Sequence, residues 1–123
     1  MGTEEDRRRF PRLSTGPEYV AHFQVPGSGG FHAQVQNLSA CGCGLQVQIC
    51  DIGPISQGGR IEALYLDHPD LPYIPLDGTV ARVLGKVPGK STGYALVGID
   101  FSAITPFMMR FINGHILSQM EQD

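Results

Sequence analysis

Four arginines lie within six residues near the N-terminus, at Arg7, Arg8, Arg9 and Arg12. They are four of the nine Lys and Arg residues of a chain whose net charge is −3. Because guanidinium groups this close together repel one another, we expect a multiply charged anion as their partner. A guanidinium binds phosphate through two parallel hydrogen bonds and stacks on flat rings. The segment therefore predicts a phosphorylated, ring-bearing ligand, although such a run is also typical of a solvated tail or one that binds nucleic acid without specificity.

A second polar group lies in the segment from Asn37 to Gly44. Asn37 and Ser39 are two residues apart, so on an extended backbone they project from the same face. Both side chains offer a donor and an acceptor, which suits them to reading the edge of a base. Gly42 and Gly44 permit a positive φ and a close approach of the backbone. The alternative interpretation is a polar turn that leads into the next strand.

The elements that must position these residues are mainly β-strands. The 16 glycines and nine prolines favour many turns. Six segments alternate apolar and polar residues with the period of a strand, at 19–25, 31–37, 45–49, 60–66, 78–86 and 94–101. Short strands at this spacing indicate a small antiparallel barrel or sandwich. We expect one domain, with a flexible arginine-rich arm over residues 1–17, a barrel over 18–104 and a helix over 105–121.

The last segment changes to a helical period. Thr105 suits the cap, Pro106 suits the first helical position, and apolar residues follow at 107, 108, 111, 112, 116 and 120. Gly114 weakens the helix by about 1 kcal/mol relative to Ala. The apolar residues pack either on the barrel or on a partner protein. The candidate partner surface comprises Phe107, Met108, Met109, Phe111 and Met120.

The two polar groups together resemble the PilZ domain family. The family pattern is Arg-Arg-x-x-Arg followed by Asp/Asn-x-Ser-x-x-Gly, and both parts are present as Arg8-Arg9-x-x-Arg12 and Asn37-x-Ser39-x-x-Gly42. The stretches Gly78-x-Val80-x-Arg82 and Gly98-Ile99-x-Phe101 and the terminal helix are also similar, so the resemblance covers nearly the whole chain. It implies a six-stranded antiparallel β-barrel with a C-terminal α-helix.

The resemblance also implies a ligand, cyclic di-GMP, which carries two phosphates and two guanines. Arginines pair with phosphate and stack on or hydrogen-bond to guanine, and Arg8, Arg9 and Arg12 match these roles, assisted by Arg7. Asn37 and Ser39 would bind a guanine edge or the adjoining phosphate, Gly42 would shape the turn, and Arg82 would add a stacking contact. The predicted ligand-binding residues are Arg7, Arg8, Arg9, Arg12, Asn37, Ser39, Gly42 and Arg82.

The function that follows is that of a single-domain receptor without catalytic activity, which relays cyclic di-GMP to an unidentified effector protein in motility, biofilm or exopolysaccharide control. We expect the ligand to fold the arm of residues 1–17 across the barrel mouth. The alternative is a PilZ-fold interaction adaptor that binds no nucleotide. Some family members lack the binding motifs, whereas both are intact here.

Other classes of function have weaker support in the sequence. The four histidines, His22, His32, His68 and His115, show no spacing of a catalytic triad or an acid–base pair and are expected on the surface or on barrel faces. Cys41, Cys43 and Cys50 lack the spacing of a zinc site. We therefore expect neither a metal nor a cofactor. The odd number of cysteines favours a reducing cytoplasm.

Two further partners are disfavoured. Outside the arm the chain is net acidic and its aromatic residues are not interleaved with basic ones, which argues against nucleic acid. A steep salt dependence of oligonucleotide binding would favour a nucleic-acid-binding function again. No apolar run approaches the roughly 20 residues of a membrane span, and no apolar stretch follows the charged N-terminus as in a secretory signal.

Overall fold

A computed structural model describes residues 10–89 and 91–121 of the chain. Within these residues the chain forms antiparallel β-strands, a short 3-10 helix at Ile49–Asp51 and one α-helix. The strands are β1 (Leu13–Ser14), β2 (Val20–Val25), β3 (Gly29–Leu38), β4 (Gly42–Gln48), β5 (Arg60–Asp67), β6 (Leu76–Leu84) and β7 (Tyr94–Ser102), and the helix is α1 (Pro106–Glu121). No helix among the described residues has both the length and the hydropathy that crossing a membrane requires.

Strands β2 to β7 close into a six-stranded antiparallel barrel. Their order is β3-β2-β5-β6-β7-β4, and β4 pairs back onto β3. Strand β3 is long enough to pair with β2 through its first half and with β4 through its second half. Strand β1 lies outside the barrel and pairs with Asn37 and Leu38 of β3, past Gln34, where the pairing of β3 with β2 ends. The six-stranded barrel with a C-terminal helix is thus confirmed.

The core follows the alternation of the strands. In β2 the side chains of Ala21, Phe23 and Val25 are buried, whereas Gln24 between them is exposed. The same alternation places Leu45 and Val47 of β4 in the barrel interior. Burying each large apolar side chain contributes roughly 1.5–3 kcal/mol. This interior sets the outward-facing positions of the same strands, on which a surface site must be built.

Helix α1 begins where the sequence predicts. The backbone N–H of Met108 donates a hydrogen bond to Oγ1 of Thr105 at 3.2 Å, and Pro106 occupies the first helical position. A side chain at this cap satisfies one of the amides that a helix start leaves unpaired. Ile112 and Ile116 are fully buried in the barrel core, while Phe107 remains exposed. One face of the helix therefore closes the barrel and another face is free of it.

His115 differs from its predicted place on a surface or barrel face. It is 9% exposed and its Nε2 lies 2.7 Å from the hydroxyl of Tyr19, between α1 and the barrel. The ring of His68 stacks on Tyr19 with centroids 4.1 Å apart. Burial, and next the charge of His68, lower the pKa of His115. This histidine attaches the helix to the barrel, which the chain position alone does not reveal.

Part of the segment predicted as a flexible arm, residues 1–17, is ordered in the sheet. Leu13 and Ser14 pair with Leu38 and Asn37, and the N–H of Thr15 donates to the carbonyl of Gln36 at 3.1 Å. The last residues of the expected arm are therefore part of the sheet. Residues 1–9 lie outside the described residues.

Candidate functional site

One row of residues crosses the outer wall of the barrel from β3 to β6. In the strand register Asn37 faces Gly44, Gly44 faces Gly98, and Gly98 faces Arg82. Ser14 of β1 extends the row beyond Asn37. Since neighbouring strands lie about 4.8 Å apart, Asn37 and Arg82 are separated by about 14 Å across the sheet. The two central positions carry no side chain, so the row forms a channel with a polar side chain at each end.

Two β-bulges turn the polar ends of this row to the outside. Val35 of β3 points inward, and simple alternation would also place Asn37 inside. A register shift between Val35 and Asn37 instead leaves Leu38 buried and Asn37 facing out. In β6 a shift between Val80 and Arg82 likewise exposes Arg82. A bulge inserts one residue and so re-aims the side chains that follow it.

A groove of about 940 Å³ lies over this row. Its walls come from β1, β3, β4, β6 and β7 and from the turn between β3 and β4. The predicted site residues that line it are Arg12, Asn37, Ser39, Gly42 and Arg82. The structure thus brings the described members of the predicted set to one place. Arg7, Arg8 and Arg9 lie outside the described residues.

The glycine floor is covered by the side chains at its ends. A Cβ built on Gly44 would lie 2.7 Å from Nδ2 of Asn37, and one built on Gly98 would lie 3.4 Å from Cγ of Arg82. The Asn37 amide therefore leans over Gly44, and the stem of Arg82 lies beside Gly98. This leaves a flat surface between an amide and a guanidinium, which suits a planar, polar-edged ligand group.

Of the two reasons expected for glycine at position 42, the structure shows the close backbone approach and not the positive φ. A Cβ there would lie 2.1 Å from the carbonyl oxygen of Ile99, closer than real Cβ atoms approach. Positive φ values occur at other glycines, such as Gly27 and Gly58, but not at Gly42 or Gly44. The close backbone approach is thus the constraint at Gly42, where β4 and β7 meet at one end of the groove.

Ser39 is held in the turn that joins β3 to β4. Its N–H donates to the carbonyl of Gly42 at 2.9 Å, and its Oγ accepts a hydrogen bond from the N–H of Cys41 at 3.2 Å. The side chain is largely buried, with the residue 8% exposed. The hydroxyl therefore organises the turn, which forms part of the groove wall.

The charged residues around the groove come from separate parts of the chain. Arg12 and Arg82 are exposed, and Asp100 lies on the groove wall. Arg60 is also exposed but lies away from the groove, where it pairs with Glu62 at 2.7 Å. Arg60 consequently serves as a matched control for the two groove arginines.

The groove has an apolar end that sequence reasoning missed. Leu84 of β6 faces Leu96 of β7, two residues along each strand from the pair of Arg82 and Gly98. Leu84 is 52% exposed and Leu96 is 48% exposed. Both line the groove. The signal was present in the sequence, because Leu96 occupies an outward position of β7 where alternation predicts a polar residue.

The thiol of Cys43 is unsuited to nucleophilic chemistry. Cys43 is buried, and this burial raises its pKa to about 12, so the thiol stays protonated. Among residues 10–89 and 91–121, His, Cys, Asp and Glu form no cluster of three or more that could hold a metal ion.

Comparison with known proteins identifies the family. The sequence profile of the PilZ domain matches residues 6–116. The chain belongs to the PilZ domain family. No curated protein matches it significantly.

Solved structures of other proteins, a PilZ domain among them, share the fold. MrkH of K. pneumonia in complex with c-di-GMP superposes with a TM-score of 0.78 at 18% identity over 94% of this chain. The PilZ domain of Escherichia coli YcgR with c-di-GMP gives 0.75 at 16% identity, covering 94% of this chain and 93% of that one. The Bacillus subtilis inhibitor of motility MotI gives 0.73 at 14% identity, covering 95% of this chain and 53% of MotI. The PilZ chain spans about half of MrkH, 53% of its length.

Proposed function

We propose that this PilZ chain is a non-catalytic receptor that binds cyclic di-GMP in the groove over the row from Asn37 to Arg82. The observation that carries the proposal is the convergence of Arg12 and Arg82, far apart in sequence, on one groove whose floor is two paired glycines. Structures of MrkH and of the YcgR PilZ domain with c-di-GMP, which share this fold, support the choice of ligand.

The groove chemistry matches the parts of this ligand. Each guanidinium can bind a phosphate through two hydrogen bonds or stack on a guanine ring. The Asn37 amide offers one acceptor and two donors to the edge of a base. The paired glycines leave room for the Asn37 amide and the Arg82 side chain to lie close to the sheet, where a flat ring can pack on them. Arg12 and Arg82 thus provide charge, Asn37 provides hydrogen bonds, and Gly44 and Gly98 provide room.

In this proposal Arg7, Arg8 and Arg9 complete the charge around the ligand. Because β1 already pairs with Asn37 and Leu38, the segment before Leu13 starts directly beside the groove. The phosphates would draw these arginines over the ligand and create a new surface there. We propose that this surface contacts an effector protein in the cytoplasm. Trypsin cleavage after Arg8 and Arg9 should slow at saturating cyclic di-GMP, and equal rates with and without ligand would refute the movement.

Calorimetric titration with cyclic di-GMP, with GTP as the comparison ligand, tests the receptor function. We expect saturable binding of cyclic di-GMP by the wild type and none of GTP. Arg12→Ala and Arg82→Ala should each weaken binding by about tenfold or more, since hydrogen bonds to charged groups contribute about 1.5–3 kcal/mol. Arg60→Ala should bind as the wild type does.

Two results would contradict the proposal. One is the absence of heat with folded wild-type protein, which would favour an adaptor that binds no nucleotide. The other is equal weakening by Arg60→Ala, which would indicate nonspecific attraction to positive charge. Ser39→Ala is a poor test by itself, because it removes the acceptor for the Cys41 N–H and so alters the turn.

A further inference from the structure

One face of helix α1 is apolar, exposed and not used by the barrel. Phe107 and Phe111 are 57% and 45% exposed, with ring centroids 5.6 Å apart. Gly114 and Ser118 follow on the same face, since positions 4, 7 and 11 residues beyond Phe107 recur at whole helical turns. Leu117, 46% exposed, flanks them. The face thus has two large aromatic residues at one end and two small residues toward the other.

Gly114 has no explanation within the chain. Glycine inside a helix costs roughly 1 kcal/mol relative to alanine, and a Cβ built here would meet no atom within 4 Å. Its φ is negative, so no backbone constraint requires glycine either. Residues that break a local rule without an internal reason are expected at functional positions. A glycine in the middle of an exposed helix face allows a second helix to approach closely.

We propose that this face binds the same face of a second copy of the chain, with the two helices antiparallel and crossing at Gly114. A two-fold axis at this crossing places Phe111 of one copy against Leu117 of the other. It also places each Phe107 over the C-terminal turn of the opposite helix, beside Ser118. The bulky end of the face is thus complementary to the small end, which is what an interface between identical surfaces needs.

The charges on this face agree with the antiparallel arrangement. Arg110 and Glu121 lie on the same flank of the helix, separated by 11 residues, and both are exposed. With the axis at Gly114, each Arg110 comes within about one helical turn of Glu121 of the other copy, a distance that an arginine side chain spans. A parallel arrangement would instead place Arg110 beside Arg110. Charge therefore selects a second, antiparallel copy over a parallel one.

Disulfide trapping tests the geometry. In a Cys50→Ser background, which removes an exposed thiol, Gly114→Cys should give a covalent dimer under mild oxidation because the two positions meet at the crossing. Thr79→Cys, exposed on β6 and not part of the helix face, should remain monomeric. Equal dimer yields from the two variants would overturn the proposal.

Sedimentation equilibrium tests the interface without new thiols. One helix face is smaller than the about 800 Å² per partner of a stable complex, so we expect association between about 10 μM and 1 mM. Phe111→Gln should weaken it more than about tenfold, whereas Val87→Gln, exposed between β6 and β7 and outside the groove, should leave it unchanged.

Charge reversal gives the sharpest result. Arg110→Glu and Glu121→Arg should each weaken association by about tenfold, because two ion pairs become two repulsions per dimer. The double variant should restore it. A monomeric mass for the wild type up to about 1 mM, or no rescue by the double variant, would overturn the proposal and leave the face to an effector protein. The proposal does not rest on cyclic di-GMP, and the measurements need no ligand.

Discussion

Replacing Gly42 by alanine should separate β4 from β7 at one end of the candidate site. The added Cβ would lie 2.1 Å from the carbonyl oxygen of Ile99. A relaxed contact between these atoms is about 3.3 Å, so the two strands must move apart by about 1 Å. The atom that blocks the Cβ is backbone, and no side-chain rotation can relieve the clash.

The size of the effect follows from what that movement disturbs. Overpacking of this kind costs about 1–3 kcal/mol. The same movement stretches the hydrogen bond from Phe101 N–H to the Cys41 carbonyl, now 2.8 Å, which joins β7 to the turn before β4. Such a bond contributes about 0.5–1.5 kcal/mol net. We therefore expect Gly42→Ala to lower the free energy of unfolding by about 1.5–4.5 kcal/mol.

Urea unfolding followed by circular dichroism measures this loss, and Gly98→Ala is the matched control. At Gly98 the new Cβ would meet Cγ of Arg82 at 3.4 Å, an ordinary contact with a flexible side chain. Alanine also costs less backbone entropy than glycine in a strand, by roughly 0.5–1 kcal/mol. Gly98→Ala should thus stay within about 1 kcal/mol of the wild type. Similar free energies for the two variants would refute the account of the strand contact at Gly42.

Three further predictions concern the site and the helix. Gly44→Ala should displace the Asn37 amide, which lies 2.7 Å from the new Cβ, and weaken cyclic di-GMP binding severalfold in calorimetry with little change in stability. Leu96→Glu should weaken binding by roughly tenfold, because it places a carboxylate in the groove against the ligand phosphates. Because burial lowers the pKa of His115, the folded state resists its protonation, so stability should fall as the pH drops below the ordinary value of 6.5. His115→Phe should remove this part of the pH dependence of unfolding.

Each of these has an outcome that would count against it. Unchanged affinity in Gly44→Ala would show that Asn37 does not contact the ligand. Full affinity in Leu96→Glu would exclude the apolar end of the groove from the site. Parallel stability curves for the wild type and His115→Phe between pH 7.5 and pH 5, a range that spans the ordinary histidine pKa, would mean that His115 is protonated as easily in the folded chain as in the unfolded one.

Alternation and cap residues predicted most of the fold. All six strand segments agree with the observed strands to within three residues at each end, and Thr105 caps α1 as expected. Strand β1 was missed because two residues cannot show a period. The depth of His115 was missed because it depends on Tyr19, which lies 96 positions away in sequence. Contacts of this range are set by the packing of the helix, which chain periodicity does not encode.

The candidate site was predicted in composition but not in geometry. The motifs identified Arg12, Asn37 and Arg82, all of which line the groove. Simple alternation from Val35 and Val80, however, would place Asn37 and Arg82 inside the barrel. Only the two bulges bring them out, and a bulge is a property of strand pairing that a single sequence does not display. The sequence predicted which residue types form the site, but it did not predict the strand register that turns them outward.

The separation of outer wall and interior has an evolutionary consequence. The groove uses outward positions of β3, β4, β6 and β7, while the inward positions of the same strands fill the core. Substitutions at Asn37 or Arg82 thus change the groove surface without opening a cavity in the core, and most surface changes alter stability by less than about 0.5 kcal/mol. A descendant of this chain can change the chemistry of its groove and keep its architecture. Gly42 is the exception, since its replacement would disturb the groove and the barrel at the same time.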